Sequence, residues 1–178
     1  MGYISSIQSE YAANIFRLAE NRDDKVFYNS SAEHAMIVHQ ALAKTANEYI
    51  YIFSSSMCSE ISNNNEYLDY LKDFLNDKSH EIRIVFTDFS EAFLKMPIAK
   101  LLATYPLQVS IKKYPGKVLY NGYPAHFTVT DDRAFRLETD IENHMAFGNF
   151  NSPSQALALK EVFDRIYQSK LASEVTLC

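Results

Sequence analysis

The chain has 178 residues, of which 47% are hydrophobic and 22% are charged. These values predict one well-buried globular domain and argue against extended disorder. The formal net charge is −5, from 17 basic and 22 acidic residues, so the overall charge does not support binding to nucleic acid. Only Lys112, Lys113 and Lys117 form a local basic cluster, and a solvated turn is its simpler interpretation.

The cysteines and the termini predict a protein of the cytoplasm. Cys58 and Cys178 show no metal-ligand spacing and define no disulfide framework, which is typical of a reducing compartment. We therefore predict no metal and no other cofactor. The first residues lack the basic and then apolar pattern of a signal peptide. No apolar run approaches the roughly 18 residues that a membrane span requires.

The pattern of residues predicts three segments, namely an amphipathic helix over 1–22, one domain over 23–172 and a tail over 173–178. The apolar face of the first helix can dock on its own domain or on another chain; it carries Ile4, Ile7, Tyr11, Ile15 and Leu18. Predicted strands cover 26–28, 49–53, 81–86, 107–111, 118–120, 125–130 and 134–138. Predicted helices cover 30–47, a stretch capped by residues 63–65, 90–104 with an interruption near Pro97, and 152–170.

The last two predicted strands carry an unusual set of polar residues. Side chains alternate along a strand, so His126 and Thr128 share one face of their strand, and Arg136 and Glu138 share one face of theirs. If the strands pair, a titratable ring, a hydroxyl, a cation and a carboxylate lie together. This arrangement predicts either a pocket for an anion or nucleotide, or a half-buried salt-bridge network that stabilises the sheet.

The order of elements resembles the phospholipase D-like fold over about residues 26–170, above all in the strand, Asp131-Asp132 turn, strand, asparagine loop and final helix. The resemblance implies an α/β fold, a three-layer α/β/α sandwich with a mostly parallel mixed sheet. Enzymes of this family carry His-x-Lys-x4-Asp on a strand and Gly-Ser-x-Asn in the following loop. The resemblance implies a histidine nucleophile that attacks phosphorus, with lysine and asparagine on the phosphate oxygens. Two motifs meet at one site, so a chain with a single motif must dimerise.

The strand motif is incomplete in this chain. With Asp131 as its aspartate, the histidine position falls on Pro124 and the lysine position on His126. With His126 as its histidine, the lysine position falls on Thr128 and the aspartate position on Arg133. Neither register contains all three residues. His126-Phe-Thr128 also matches one of the two His-x-Thr/Ser motifs of 2H phosphoesterases, but no other histidine has Thr or Ser two residues on.

The loop motif is better preserved, because Gly148-Asn-Phe-Asn151 keeps the glycine and the final asparagine, with Asn149 in the serine place. We expect Asn149 and Asn151 to complete the pocket formed by the polar strands. The prediction is a catalytically degenerate phospholipase D-like domain that acts as a binding or protein-interaction module, as a homodimer or with another protein. In such a module Tyr123 and Phe150 are available to fill the cleft.

Two alternatives remain open. The first is a metal-independent phosphodiesterase or nuclease with a rearranged site around His126, active as a dimer. It requires His126 in a cleft that faces its dimer mate or Asn151, with a cation nearby. The second is a nucleotide or phosphate sensor that uses Arg136 and Glu138.

Overall fold

Helices cover both faces of one mixed sheet in the computed structural model, which describes residues 2–177 and the side chains from Ser9 onward. The helices are α1 (Gly2–Glu20), α2 (Ala32–Thr45), α3 (Ser59–Ser62), α4 (Asn65–Leu75), α5 (Pro97–Ala103) and α6 (Pro153–Tyr167), with a 3-10 helix at Glu91–Lys95. The strands are β1 (Phe27–Ser30), β2 (Tyr49–Ser54), β3 (Glu81–Phe86), β4 (Val109–Lys113), β5 (Val118–Tyr120), β6 (Tyr123–Thr130), β7 (Ala134–Asp140), β8 (Met145–Asn149) and β9 (Ser173–Glu174).

The strand order is β1-β8-β7-β6-β2-β3-β4-β9, and β5 pairs with β6. Strands β2, β3 and β4 are parallel, whereas every other neighbouring pair within the described residues is antiparallel. The predicted α/β fold class with a mixed sheet is confirmed. The sheet has fewer parallel pairs than the sequence pattern indicates, because short turns join β6, β7 and β8, and short turns connect antiparallel neighbours.

The two faces of β2 show why the fold has three layers. Ile50 and Ile52 pack with α3, α4 and α5 on one face, while Tyr51 and Phe53 pack with α6 on the other. A strand buried on both faces has an unbroken apolar run, which is the pattern of this segment. Helix α1 packs on α2 through Ile15, so it docks on its own domain. The side chains of residues 4 and 7, which were predicted to share this face, lie outside the described part.

Helix ends follow the predicted signals with small shifts. Ser31, rather than Ser30, caps α2, because its side chain accepts a hydrogen bond from the His34 N–H at 3.1 Å. The helical stretch predicted over 90–104 is interrupted just before Pro97, as expected. None of the helices described has the length and apolarity needed to cross a bilayer.

Strand β8 was not predicted, since Gly148 to Asn151 were expected to form a loop before the final helix. The strand lies between β1 and β7. Gly148 is required there by close packing, since a Cβ at this position would lie 2.2 Å from the Phe135 carbonyl oxygen and 2.4 Å from the Phe27 ring. The glycine that matches the family loop motif therefore has a packing role. Part of the predicted tail also joins the sheet, as β9 pairs with β4.

Candidate functional site

The polar faces of β6 and β7 meet in the way that alternation predicts. The two strands pair antiparallel, with His126 opposite Glu138 and Thr128 opposite Arg136. All four side chains are buried, on the sheet face that α2 and α4 cover. Phe127, between them in sequence, points to the opposite face and packs under α6. The sheet thus brings the four predicted residues together in its interior.

Glu138 is the centre of this charged network. Its Oε1 accepts a hydrogen bond from Arg136 Nη2 at 2.8 Å, its Oε2 lies 3.0 Å from His126 Nδ1, and His144 Nδ1 lies 3.5 Å from Oε1. Arg136 Nε donates to Asn29 Oδ1 at 3.0 Å. Burial raises the pKa of Glu138, but the hydrogen bond from His126 and the charge of Arg136 outweigh burial and lower this pKa to about 2. Glu138 is therefore ionised at neutral pH, and its charge compensates that of Arg136.

Both nitrogens of the His126 ring are engaged. Nε2 accepts a hydrogen bond from the Ser55 backbone N–H at 2.9 Å, and Nδ1 lies 3.0 Å from Glu138 Oε2. An Nε2 that accepts carries no proton, so the proton of the neutral ring is on Nδ1 and is donated to the carboxylate. Ser55 follows β2 at its carboxyl end, the edge where open α/β sheets bind ligands. The Nε2 lone pair is thus directed at the backbone and not at open space.

A cavity of about 120 Å³ lies beside this network. Much of its wall is apolar, from Ile52, Phe53, Met57, Ile61, Phe127 and Ile141. We call it the polar cavity after the polar side chains that also line it, among them His39, Tyr67, His126, Thr128, Arg136 and Glu138. His39 comes from α2 and Tyr67 from α4, and their rings meet edge to face at 6.0 Å. In the described part of the chain, no hydrogen bond is made by the Tyr67 hydroxyl, the Thr128 hydroxyl, the His39 ring or Arg136 Nη1. Among the described residues only Thr130 Oγ1 is a fully buried side-chain polar atom without a partner. Solvent therefore reaches these four groups, and a molecule bound in the cavity could replace that solvent.

His39 and Tyr67 were not predicted as site residues. Each lies on the inward face of an amphipathic helix, a position that normally indicates core packing. The available signal is polarity at an inward position, since His39 directly follows the buried Val38. Within residues 9–177 no cluster of three or more His, Cys, Asp or Glu side chains is suited to a metal ion.

Burial, and then the charge of Arg136, lower the pKa of His39 to about 3 from an ordinary value of 6.5. The folded protein therefore keeps this ring neutral between pH 6.5 and 3, whereas the unfolded chain protonates it below 6.5. The folded state loses about 1.4 kcal/mol for each pH unit in that window, so we expect a loss of about 2 kcal/mol between pH 6.5 and pH 5. Urea denaturation at pH 7 and pH 5 measures this difference.

His39→Leu should remove most of the pH-dependent loss, and His34→Leu, at a half-buried position of the same helix, should retain it. Protonation of Glu138 affects the stability of the fold over a lower pH range than protonation of His39 does. Its pKa is about 2 in the folded protein against 4.5 in an ordinary carboxyl, so its stabilising effect is lost only as the pH falls below about 4.5. If the stability of His39→Leu and that of the unmodified chain fell equally between pH 7 and pH 5, the assignment of this loss to His39 would be contradicted.

Asn149 and Asn151 do not reach the polar cavity. Asn149 lies opposite Phe135 in β7, on the face beneath α6, because alternation along β8 places Gly148 on the polar face. Its Nδ2 donates to the Asp24 carbonyl oxygen at 2.6 Å, and its Oδ1 accepts from the Asn151 N–H at 2.7 Å. The expectation that the two asparagines complete the pocket is therefore not met, and their contacts connect β8 to the segments around it.

The aromatic residues that were available to fill the cleft lie elsewhere. Tyr123 is 71% exposed at the start of β6. Phe150 is fully buried and packs on Phe27, with ring centroids 4.8 Å apart. The cleft is therefore not closed by either ring.

Asp131 connects the β6–β7 turn to the start of β2. Its Oδ1 accepts the backbone N–H groups of Asn47 at 3.0 Å, Glu48 at 2.9 Å and Tyr49 at 3.3 Å. Its backbone is in the left-handed region with φ 53°, which Asp tolerates better than most residues. The aspartate of the first motif register thus has structural hydrogen bonds, and Pro124, in its histidine position, is exposed.

Comparison with solved structures places this architecture among phospholipase D-like folds. Nuc from Salmonella typhimurium, a phospholipase D family member, is similar over 86% of this chain and 99% of its own, with a TM-score of 0.60 and 11% identity. TrmBL2, an archaeal chromatin protein, is similar over 97% of this chain and 64% of its own, with a TM-score of 0.61 and 11% identity. At such identities the likeness shows the fold alone.

The sequence itself identifies a narrower group. Residues 31–174 match the family described as Domain of unknown function (DUF7931), and the chain belongs to that family. No curated protein matches the chain.

Proposed function

We propose that this chain is a phospholipase D-fold binding domain that does not hydrolyse phosphodiesters and that takes a small polar ligand in the polar cavity. The observation that carries the proposal is the state of His126. A histidine nucleophile needs a free lone pair directed at phosphorus. Here the Nε2 lone pair accepts the Ser55 N–H at 2.9 Å, and the Nδ1 proton is held by Glu138 at 3.0 Å.

The charges around the cavity support the same conclusion. Phosphoryl transfer requires cations or oriented donors for the developing negative charge. Among the described residues that line the cavity, Arg136 is the permanent cation, and Glu138 and Asn29 already bind its Nη2 and Nε. Thr128, the residue in the lysine position of the second register, offers a neutral hydroxyl. The cavity therefore offers a bound anion one guanidinium, through Arg136 Nη1, and neutral hydroxyl donors, but within residues 9–177 no second permanent cation for the charge that develops in phosphoryl transfer.

The size and the open donors of the cavity favour a ligand that is small and rich in acceptor oxygens. Arg136 Nη1 and the hydroxyls of Tyr67 and Thr128 can donate to such a molecule. A volume of about 120 Å³ suits a phosphate or carboxylate group. Pockets for drug-sized molecules measure roughly 300–1,000 Å³, so a whole nucleotide would not be enclosed. This supports the phosphate-sensor alternative more than recognition of a nucleotide base.

The likeness to TrmBL2, whose structure shows a mode of DNA binding, raises nucleic acid as another ligand. The charges do not favour it. The chain has a net charge of −5. In the basic cluster, Lys112 is paired with Glu174 at 3.2 Å. Duplex binding relies on several unpaired cations along one surface.

The test combines a hydrolysis assay with a binding assay on the same protein. In the presence of a chelator, we expect no cleavage of bis-p-nitrophenyl phosphate or single-stranded DNA above that of His126→Ala. By calorimetry, we expect inorganic phosphate to bind, and Tyr67→Phe to weaken that binding by roughly 2–10-fold, the value of one hydrogen bond. Tyr70→Phe is the matched control, because its hydroxyl donates to Glu66, outside the cavity, at 3.0 Å.

Cleavage without metal that is lost in His126→Ala would overturn the non-hydrolytic assignment. Phosphate binding that is equally weakened in Tyr67→Phe and Tyr70→Phe would overturn the assignment of the cavity. The solution mass, measured on the same sample, shows whether the chain forms the homodimer that the family resemblance implies.

A further inference from the structure

A second concave surface lies between the carboxyl-terminal half of α6 and the β5 strand. We call it the α6 groove; it has a volume of about 400 Å³ and is lined by Tyr114, Lys117, Val118, Leu119, Val162, Arg165, Ile166 and Ser169. Most of its lining is apolar. Leu119 is 60% exposed, which leaves a large aliphatic side chain in contact with solvent. The groove shares Lys117 and Val118 with a smaller cleft next to His126, but it shares no residue with the polar cavity.

The groove carries two cations and no acid. Lys117 and Arg165 are both exposed. Neither has a carboxylate within 4.0 Å among the described side chains, although ten ion pairs occur in that part of the chain. Many other exposed Lys and Arg side chains of the described part also lack a carboxylate, so what distinguishes Lys117 and Arg165 is that they flank an apolar lining without an acid. The charge of the groove is thus opposite to that of the protein as a whole.

Lys112 offsets the negative end of the α6 dipole, which would otherwise repel an anionic partner. Its Nζ donates to the Tyr167 carbonyl oxygen at 3.0 Å, at the carboxyl end of α6, where the helix dipole is negative. With that end capped, Lys117 and Arg165 remain available to an anionic partner.

We propose that the α6 groove is a docking surface for a short acidic and apolar segment of a partner protein. Aliphatic side chains of the segment cover Val118, Leu119 and Ile166, and its carboxylates pair with Lys117 and Arg165. The proposal rests on charge complementarity across an apolar strip and does not depend on the ligand of the polar cavity. A lipid surface fits less well, because each cation contributes only about 1 kcal/mol at an anionic membrane and the remaining surface is acidic.

The test begins with an unbiased displayed peptide library selected against the full chain. We expect the selected sequences to interleave Asp or Glu with Leu, Ile or Phe. A fluorescein-labelled peptide of the consensus sequence is then titrated by anisotropy. Lys117→Glu/Arg165→Glu should weaken its binding by about tenfold or more, because like charges replace attractive ones. The matched control is Lys72→Glu/Lys100→Glu, with the same charge change at exposed positions of α4 and α5; it should bind within about twofold of the unmodified chain.

A charge-swapped peptide gives a second, independent readout. If its Asp and Glu residues are replaced by Lys, it should bind Lys117→Glu/Arg165→Glu better than it binds the unmodified chain. Selection without acidic enrichment, or without any binder, overturns the proposal. Equal loss in the two double variants also overturns it. The proposal is also overturned if no peptide binds and the chain instead binds phosphatidylserine vesicles, with that binding lost in Lys117→Glu/Arg165→Glu but kept in the control variant. Phosphate calorimetry on the same variants reports separately on the polar cavity.

Discussion

Replacement of Arg136 by leucine should lower the free energy of unfolding by about 3–5 kcal/mol, the usual cost of breaking a buried ion pair from one side. Arg136 and Glu138 have side chains only 4% and 8% exposed and are joined at 2.8 Å. Removal of the guanidinium leaves the Glu138 carboxylate buried without its cation and Asn29 Oδ1 without its donor. Urea denaturation at pH 7 measures the change.

The control for this prediction is an exposed pair. Lys44→Leu breaks the contact with Glu20, whose two side chains are 41% and 51% exposed, and it should cost no more than about 1 kcal/mol. The double variant Arg136→Leu/Glu138→Leu removes both buried charges, so we expect it to be more stable than Arg136→Leu alone. An Arg136→Leu variant that matches the Lys44→Leu variant in stability would show that the network is not buried as described.

Replacement of Asp131 by alanine should cost about 3 kcal/mol or more. The side chain accepts three backbone N–H groups, those of Asn47, Glu48 and Tyr49. Hydrogen bonds to a charged group contribute about 1.5–3 kcal/mol each, and donors left without a partner add a desolvation penalty, although water can reach some of these groups. Alanine also adopts the positive φ of this turn less readily than aspartate. Thermal and urea denaturation give the change in stability.

Asp140→Ala is the matched control for this variant. Asp140 also lies next to a turn, but it accepts only local bonds, from the N–H and the side chain of Asn143. We expect it to cost about 1 kcal/mol or less. Asp131→Asn keeps one acceptor oxygen and a side chain that tolerates the positive φ, so it should lie between the two. The structural role of Asp131 would be refuted if Asp131→Ala and Asp140→Ala were equally stable.

The sequence was sufficient for the features that depend on local periodicity. The alternation along 126–138 correctly placed His126, Thr128, Arg136 and Glu138 on one face, because side-chain direction in a strand follows position alone. Pro97 correctly indicated the break between two helices.

Other features depend on tertiary contacts that no local pattern contains. Strand β8 pairs on one side with β1, which is more than 100 residues away in sequence, and its glycine lowers the β propensity of the segment. The hydrogen bond to His126 Nε2 comes from the backbone N–H of Ser55, and the identity of a residue does not indicate where its backbone N–H donates. His39 and Tyr67 reach the cavity only because α2 and α4 converge over the same strands.

The pairing of β1 with β8 has a consequence for the order in which the protein folds. Phe27 lies opposite Gly148, about 120 residues later in the chain. At a synthesis rate of about 5–20 residues per second, β1 waits roughly 6–24 s on the ribosome before its partner exists. The parallel strands β2, β3 and β4 and their helices are complete well before then. The earliest strand of this sheet in the chain therefore completes its pairing only when β8 emerges, and until then the Phe27 ring lacks the contacts that β8 provides.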